Sequence, residues 1–213
     1  MARITILGGT GYTGSNIARE AVARGHEVTS FSRSVPTTRL EGVTYRTGVL
    51  ENELATLVSD TDVVVGALAP RGELAEGLRE VYSTLGGLAS AAGTRIGIVG
   101  GFSALRPAPE APRMAYGDEV PPQFAVEARV MAEVIDELVA DAPESLDWFY
   151  VSPAAAYGAH VPGEAVGSYR AGDDVAIFDE SGSSAISGVD FAQAVVDEIE
   201  TPVHSRAQFG VAY

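Results

Sequence analysis

Gly8-Gly9-Thr10-Gly11-Tyr12-Thr13-Gly14 follows directly on the apolar run Ile4-Thr5-Ile6-Leu7. Glycines at that spacing let a backbone turn tightly and approach a phosphate closely, while the free N–H groups of a following helix receive its charge. This is dinucleotide-binding chemistry. Gly8 permits the tight turn, Gly11 the approach of a pyrophosphate and Gly14 the near contact of helix with strand, and Thr10, Tyr12 and Thr13 complete the cradle. A mere tight strand-to-helix connection is the competing reading, and the strand before and helix after weigh against it.

About twenty residues on, Ser32-Arg33-Ser34 stands where a carboxylate would meet a ribose 2′-hydroxyl. A guanidinium flanked by two hydroxyls suits a 2′-phosphate instead, which favours NADP(H) over NAD(H), unless Arg33 is a plain surface residue. Ala67-Leu68-Ala69-Pro70 offers small apolar residues and exposed backbone, a wall for a dinucleotide without chemistry of its own. Gly100-Gly101-Phe102-Ser103 brings one hydroxyl near the expected nicotinamide, where Ser103 either donates to a substrate oxygen or satisfies a turn. Ser152 and Pro153 offer main chain to a carboxamide, and Tyr157 and His160 stand beyond them as pocket residues. His160 has no Asp, Glu or second His at ligand spacing, so no metal is expected and a loop-surface imidazole is the competing reading.

The elements that must position these residues alternate. Apolar β-branched runs at Ile4–Leu7, Glu27–Phe31, Val43–Arg46, Asp62–Ala67, Arg95–Gly100 and Leu146–Val151 predict six strands. Helical spacing predicts helices over 11–24, 73–92 and 124–140, with Gly25 and Gly93 as stops. The Pro-rich passage from Arg106 to Pro122 reads as an irregular loop on the active-site side. Beyond it come two weak strands (167–171 and 175–178), a helix over 189–199 and a last strand at 208–212. Such alternation specifies one α/β domain over 1–213, a Rossmann-like doubly wound parallel sheet with a small C-terminal substrate-side region at about 154–190.

Composition narrows the chemistry. There is no Cys and no Lys, so thiolate nucleophiles, disulfides, Schiff bases and a P-loop lysine are excluded. Fourteen basic against 29 acidic residues give a net charge of −15, which repels nucleic acid and anionic membranes and leaves a small molecule as the expected partner. No apolar run reaches the roughly 18 residues of a membrane span, and the N-terminus enters a strand without a signal-like pattern, so a cytoplasmic chain is expected, monomeric or homodimeric. A Gly-x-Ser-x-Gly elbow is absent, which argues against hydrolysis.

The Gly8–Gly14 motif, Ser32-Arg33, Leu146-Asp147-Trp148 and Ser152-Pro153-Ala154 together resemble the atypical short-chain dehydrogenase/reductases that bind NAD(P)H. From Gly167-Ser168-Tyr169-Arg170 to Phe209-Gly210-Val211-Ala212-Tyr213 the chain is similar to the NADH-flavin reductase-like branch. Laid on residues 124–133, the family pattern puts Ala125 at the usual Tyr and Arg129 at the usual Lys, so the proton-transfer pair is missing and Arg129 is left to hold a nicotinamide ribose. Gly48 replaces the acidic residue that relatives place near the adenine. With no acid–base pair, the expected activity is hydride transfer to a flavin, such as FMN or FAD as substrate, or to a quinone, stacked on a floor of Phe102, Tyr116 and Tyr157. Two other readings stay open. One is an NADP(H) sensor that closes its Pro-rich loop on the cofactor. The other is a dedicated reductase of a biosynthetic intermediate, with Ser103 or Tyr157 donating to an oxyanion.

Overall fold

The computed structural model describes residues 1–213. In chain order it contains β1 (Arg3–Leu7), α1 (Tyr12–Ala23), β2 (Glu27–Ser32), β3 (Val43–Thr47), α2 (Leu50–Ser59), β4 (Val63–Gly66), α3 (Leu74–Ala92), β5 (Arg95–Val99), α4 (Pro122–Asp141), β6 (Trp148–Ser152), β7 (Arg170–Ala171), α5 (Gly188–Glu200) and β8 (Ala207–Ala212). All strands join one sheet in the order β3-β2-β1-β4-β5-β6-β8-β7, parallel throughout except for β7.

Burial on both faces explains the unbroken apolar character of β4 and β6. Along β6, Phe149 and Val151 enter one core with Ile17 of α1 and Phe191 and Val195 of α5, while Trp148 and Tyr150 enter a second core with Leu57 of α2, Leu85 of α3 and Ile135 of α4. The strand period of two thus feeds both helical layers. Gly25 (φ +83°) and Gly93 (φ +71°) adopt the left-handed conformation that ends α1 and α3.

Two expectations are corrected in the C-terminal part. Residues 167–171 pair only at Arg170–Ala171, antiparallel to β8, so the sheet is mixed at that edge. Residues 175–178 form no strand: Val175 makes a single bridge to Arg106, and the next residue, Pro107, has no N–H with which to extend a ladder. A short 3₁₀ turn at Phe102–Ala104 precedes the Pro-rich segment, and another at Met114–Tyr116 lies within it.

Strand order reverses at β1, which has β2 on one side and β4 on the other. The loops after β1 and β4 therefore diverge and open a crevice at the carboxyl ends of the strands.

Candidate active site

Gly8 bends the loop after β1 at φ +80°. A Cβ on Gly14 would collide with the Gly8 carbonyl oxygen and the Gly9 Cα, so α1 seats on this turn only because Gly14 is bare. Gly9 is bare for a reason spacing did not reveal, since a side chain there would strike the Ser30 hydroxyl beneath it. A Cβ on Gly11 would stand 3.3 Å from the Gly8 carbonyl oxygen, the loosest of the four.

No side chain caps α1. The N–H groups of Tyr12, Thr13 and Gly14 have no partner within the protein, and the helical ladder begins with Ser15 N–H donating to the Gly11 carbonyl at 2.9 Å. This positive end of the helix is an open receptor for anionic oxygens. It faces a cleft of about 700 Å³ lined by Gly8, Thr10, Gly11, Ser32, Arg33 and Ser34, with Ala67, Leu68 and Ala69 as the opposite wall. The Ser32 hydroxyl donates to the Ser34 carbonyl at 2.7 Å and curls the end of β2, and Arg33 lies exposed on the rim. Gly48, Glu51 and Glu73 share this cleft, so carboxylates reach it from α2 and from the start of α3, not from position 48.

Ala67, Leu68 and Ala69 also line a second cleft of about 290 Å³, so the two adjoin along the β4 loop. Its lining includes Thr13, Gly100, Gly101, Phe102, Ser103 and Tyr157. Gly100 is bare because the Tyr150 ring occupies the space of its side chain, whereas Gly101 faces open space. The Ser103 hydroxyl makes no hydrogen bond within the protein and lines this cleft, so it is available to a ligand. The Tyr157 ring packs edge-on to Tyr12 at 5.6 Å and against Phe191 at 4.8 Å, and its hydroxyl lies 2.8 Å from the Thr13 hydroxyl. Burial pushes the Tyr157 phenol well above its ordinary range despite the Thr13 contact, so it remains protonated.

Several expected site residues lie elsewhere. Tyr116 is not part of the acceptor floor: its hydroxyl donates to Asp136 at 2.6 Å on the outer side of α4, and burial followed by that carboxylate pushes its phenol up to about 12. Arg129 does not reach the cleft but lies 5.5 Å above the Tyr116 ring, because positions 125 and 129 fall off the cleft-facing stripe of α4. His160 is exposed beside Gly158 and lines neither cleft. Ser152 and Pro153 are buried beneath the site, with the Ser152 hydroxyl accepting from Gln208 Nε2 at 3.0 Å. Tyr12 contributes its free N–H, while its side chain turns away to donate to the Pro162 carbonyl at 3.3 Å.

The Pro-rich segment is held away from the cleft as well. Buried Arg113 ties it to α4 through Asp136 at 2.7 Å and to the Ala104 carbonyl at 2.5 Å, and it also bonds Gln208 of β8.

In place of these residues, α4 presents Phe124, Glu127, Ala128 and Met131 to the second cleft, spaced i, i+3, i+4, i+7. Glu127 is gripped by Arg71 of the β4 loop, with Nε to Oε1 at 2.6 Å and Nη2 to Oε2 at 2.8 Å. Sequence reasoning missed both. The stripe was visible as a helical period, but only the sheet order shows which face of α4 meets the crevice.

The residues present fit a dinucleotide: a long groove, unpartnered N–H groups at its middle, bare glycines beside them and polar groups at either end. Comparison with known proteins agrees. The NAD(P)H-binding family matches residues 8–202. The uncharacterized YwnB protein of Bacillus subtilis is 31% identical over 98% of this chain and 97% of its own. A Burkholderia pseudomallei protein provisionally described as exported is 34% identical, with a TM-score of 0.86 and 100% of both chains covered. A Streptococcus pneumoniae protein provisionally described as an NADH-flavin reductase is 26% identical, with a TM-score of 0.85 over 100% of this chain and 99% of that one. No helix is long and apolar enough to cross a membrane. A Rossmann-like sheet, a matched phosphate cradle and similarity along the whole chain place this protein in the NAD(P)H-binding family, among the atypical short-chain dehydrogenase/reductases.

Proposed function

We propose that the chain is an NADPH-dependent reductase that passes hydride to a flavin, quinone or similar conjugated acceptor lying in the smaller cleft. The observation that carries this reading is the make-up of that cleft: an apolar surface of Phe102, Phe124, Met131 and Tyr157 beside the phosphate cradle, with no Tyr–Lys pair on the α4 stripe. A dinucleotide held with its 2′-phosphate end at Arg33 in the larger cleft would bring its nicotinamide toward Gly100–Ser103 at the smaller one, where it would supply the hydride, and the acceptor's proton can come from water.

The chain's own part is placement. The free N–H groups of Tyr12, Thr13 and Gly14 hold phosphate, the β4 loop from Ala67 to Ala69 gives the dinucleotide a wall, and the aromatic and thioether side chains exclude water from the acceptor's face. A cleft of about 290 Å³ suits one flat ring system better than an extended substrate. The relative described as an NADH-flavin reductase is in keeping with this choice.

Preference for NADPH rests on Arg33. Every other arginine has an ion pair, a hydrogen bond or an aromatic ring as partner, whereas Arg33 has none and stands beside the cofactor cleft. In a chain with 29 carboxylates, a guanidinium without a partner at that place supports a 2′-phosphate ligand.

A dedicated reductase is the second reading, favoured by the available hydroxyl of Ser103. The sensor reading loses its moving part, because Arg113 anchors the Pro-rich segment. Steady-state NADPH oxidation with FMN, riboflavin and quinones tests the proposal. Turnover with at least one is expected, and none with any would refute it.

A further inference from the structure

We propose that Glu127 makes the smaller cleft select uncharged over anionic acceptors, with Arg71 fixing its carboxylate in place. The inference rests on the reductase reading and adds the charge class of the acceptor. Glu127 is the only charged side chain on the lining of that cleft. Both of its carboxylate oxygens accept from one guanidinium, so its contribution is charge and position.

Arg71 lines the cofactor cleft and, through Glu127, touches the lining of the smaller one. One edge of its guanidinium, Nε and Nη2, holds Glu127, while Nη1 has no partner and the side chain lines the cofactor cleft with Gly8, Thr10 and Gly11. It leaves the β4 loop just before Gly72 (φ +60°) and makes no other side-chain hydrogen bond or ion pair. The phosphates of a bound dinucleotide therefore share this cation with Glu127. With its counter-charge drawn toward the cofactor, the carboxylate presents net negative charge to whatever enters beside Phe102 and Phe124. A neutral isoalloxazine or quinone is indifferent to that field. A phosphate, sulfonate or carboxylate on the acceptor is repelled, and because the pair lies at the cleft mouth, with Arg71 67% and Glu127 29% exposed, the repulsion is screened by salt.

Riboflavin and FMN share one ring and differ by a phosphate, so they isolate the effect. Each is titrated against the NADP⁺-loaded wild type, Glu127→Gln and Arg71→Ala, with flavin fluorescence read at low and at high salt. The wild type is expected to bind riboflavin about tenfold more tightly than FMN at low salt, as expected for a like-charge contact near a surface. The ratio should collapse toward one in Glu127→Gln and at high salt, and widen in Arg71→Ala. The same ratio in wild type and Glu127→Gln overturns the inference, as does tighter binding of FMN by the wild type or no binding of either flavin to wild type and Glu127→Gln. NADPH turnover with the same two flavins is scored separately. Charge-selective binding without turnover refutes only the reductase reading, and turnover with an unchanged ratio refutes only the role of Glu127.

Discussion

The hydroxyls of Thr13 and Tyr157 lie 2.8 Å apart, linking the first turn of α1 to the loop beyond β6. The phosphate cradle and the acceptor wall are thus one assembly. If the Thr13 hydroxyl donates to Tyr157, the phenolic proton stays free for a ligand; if Tyr157 donates, that proton is committed to Thr13 and the phenol can only accept.

Tyr157→Phe keeps the ring against Tyr12 and Phe191 and deletes only this hydrogen bond. The expected cost is about 1 kcal/mol of stability, with flavin reduction changed by no more than about twofold because the proton can come from water. Ser103→Ala should be equally mild. Thermal unfolding and steady-state rates check both. A loss on the order of 10² in kcat from either variant would instead assign an oxyanion donor and the dedicated-reductase reading.

Arg33→Ala should weaken NADPH by about 1.5–3 kcal/mol, the range of a charge-assisted hydrogen-bonding partner, and leave NADH nearly untouched. Exposed and without a partner, Arg33 makes little contribution to folding, so the variant should unfold at the wild-type temperature. Calorimetric titration with both cofactors measures the difference, and equal losses would remove the 2′-phosphate assignment.

What could be read from the sequence follows from range. The turn at Gly8, the stop at Gly93 and the strand-to-helix rhythm depend on neighbours within a few residues, and the structure reproduces them. The pairing of Arg71 with Glu127 spans 56 positions and depends on α4 lying over the β4 loop, which no local pattern states. The rotation of α4 is hidden for the same reason: the family pattern points to 125 and 129, whereas packing on α3 and on the 3₁₀ turns at 102–104 and 114–116 turns 124, 127, 128 and 131 to the cleft. Proline spacing announced irregular backbone after β5, but not that a buried arginine would anchor it.

Gly14→Ala and Gly11→Ala should separate folding from binding. A methyl at Gly14 meets backbone that cannot yield, so this variant should lose about 1–3 kcal/mol of stability through overpacking. A methyl at Gly11 stands 3.3 Å from one carbonyl oxygen and otherwise projects toward the phosphate cradle, so that variant should fold and lose cofactor affinity. Urea unfolding and NADPH titration on the same two proteins distinguish these outcomes. A Gly11→Ala protein that binds NADPH normally would mean the pyrophosphate does not pass there.

The buried carboxylate of Asp190 couples stability to pH. It is 1% exposed and accepts from the Tyr213 hydroxyl at 2.5 Å, the Val166 N–H at 2.8 Å, the Ser187 hydroxyl at 2.9 Å and the Gly167 N–H at 3.0 Å. Burial opposes its charge, but the donors, led by Tyr213, outweigh burial and hold the carboxyl below its usual range. A group with a depressed folded pKa stabilises fully above its unfolded value, about 3.9 for Asp, and that stability is lost as pH falls through the folded value. Unfolding free energy measured against pH for wild type and Asp190→Asn isolates this contribution from the other carboxylates. The variant should lie about 1–3 kcal/mol below wild type at neutral pH, since an amide cannot serve four donors, and the two curves should converge below about pH 4. Parallel curves down to the acid transition would show that Asp190 does not carry the linkage. Because Asp190 pins the 166–167 backbone and Tyr213 together at the start of α5, whose Gly188 packs on Tyr12, acid should loosen the wall behind Tyr157 before it disturbs the sheet.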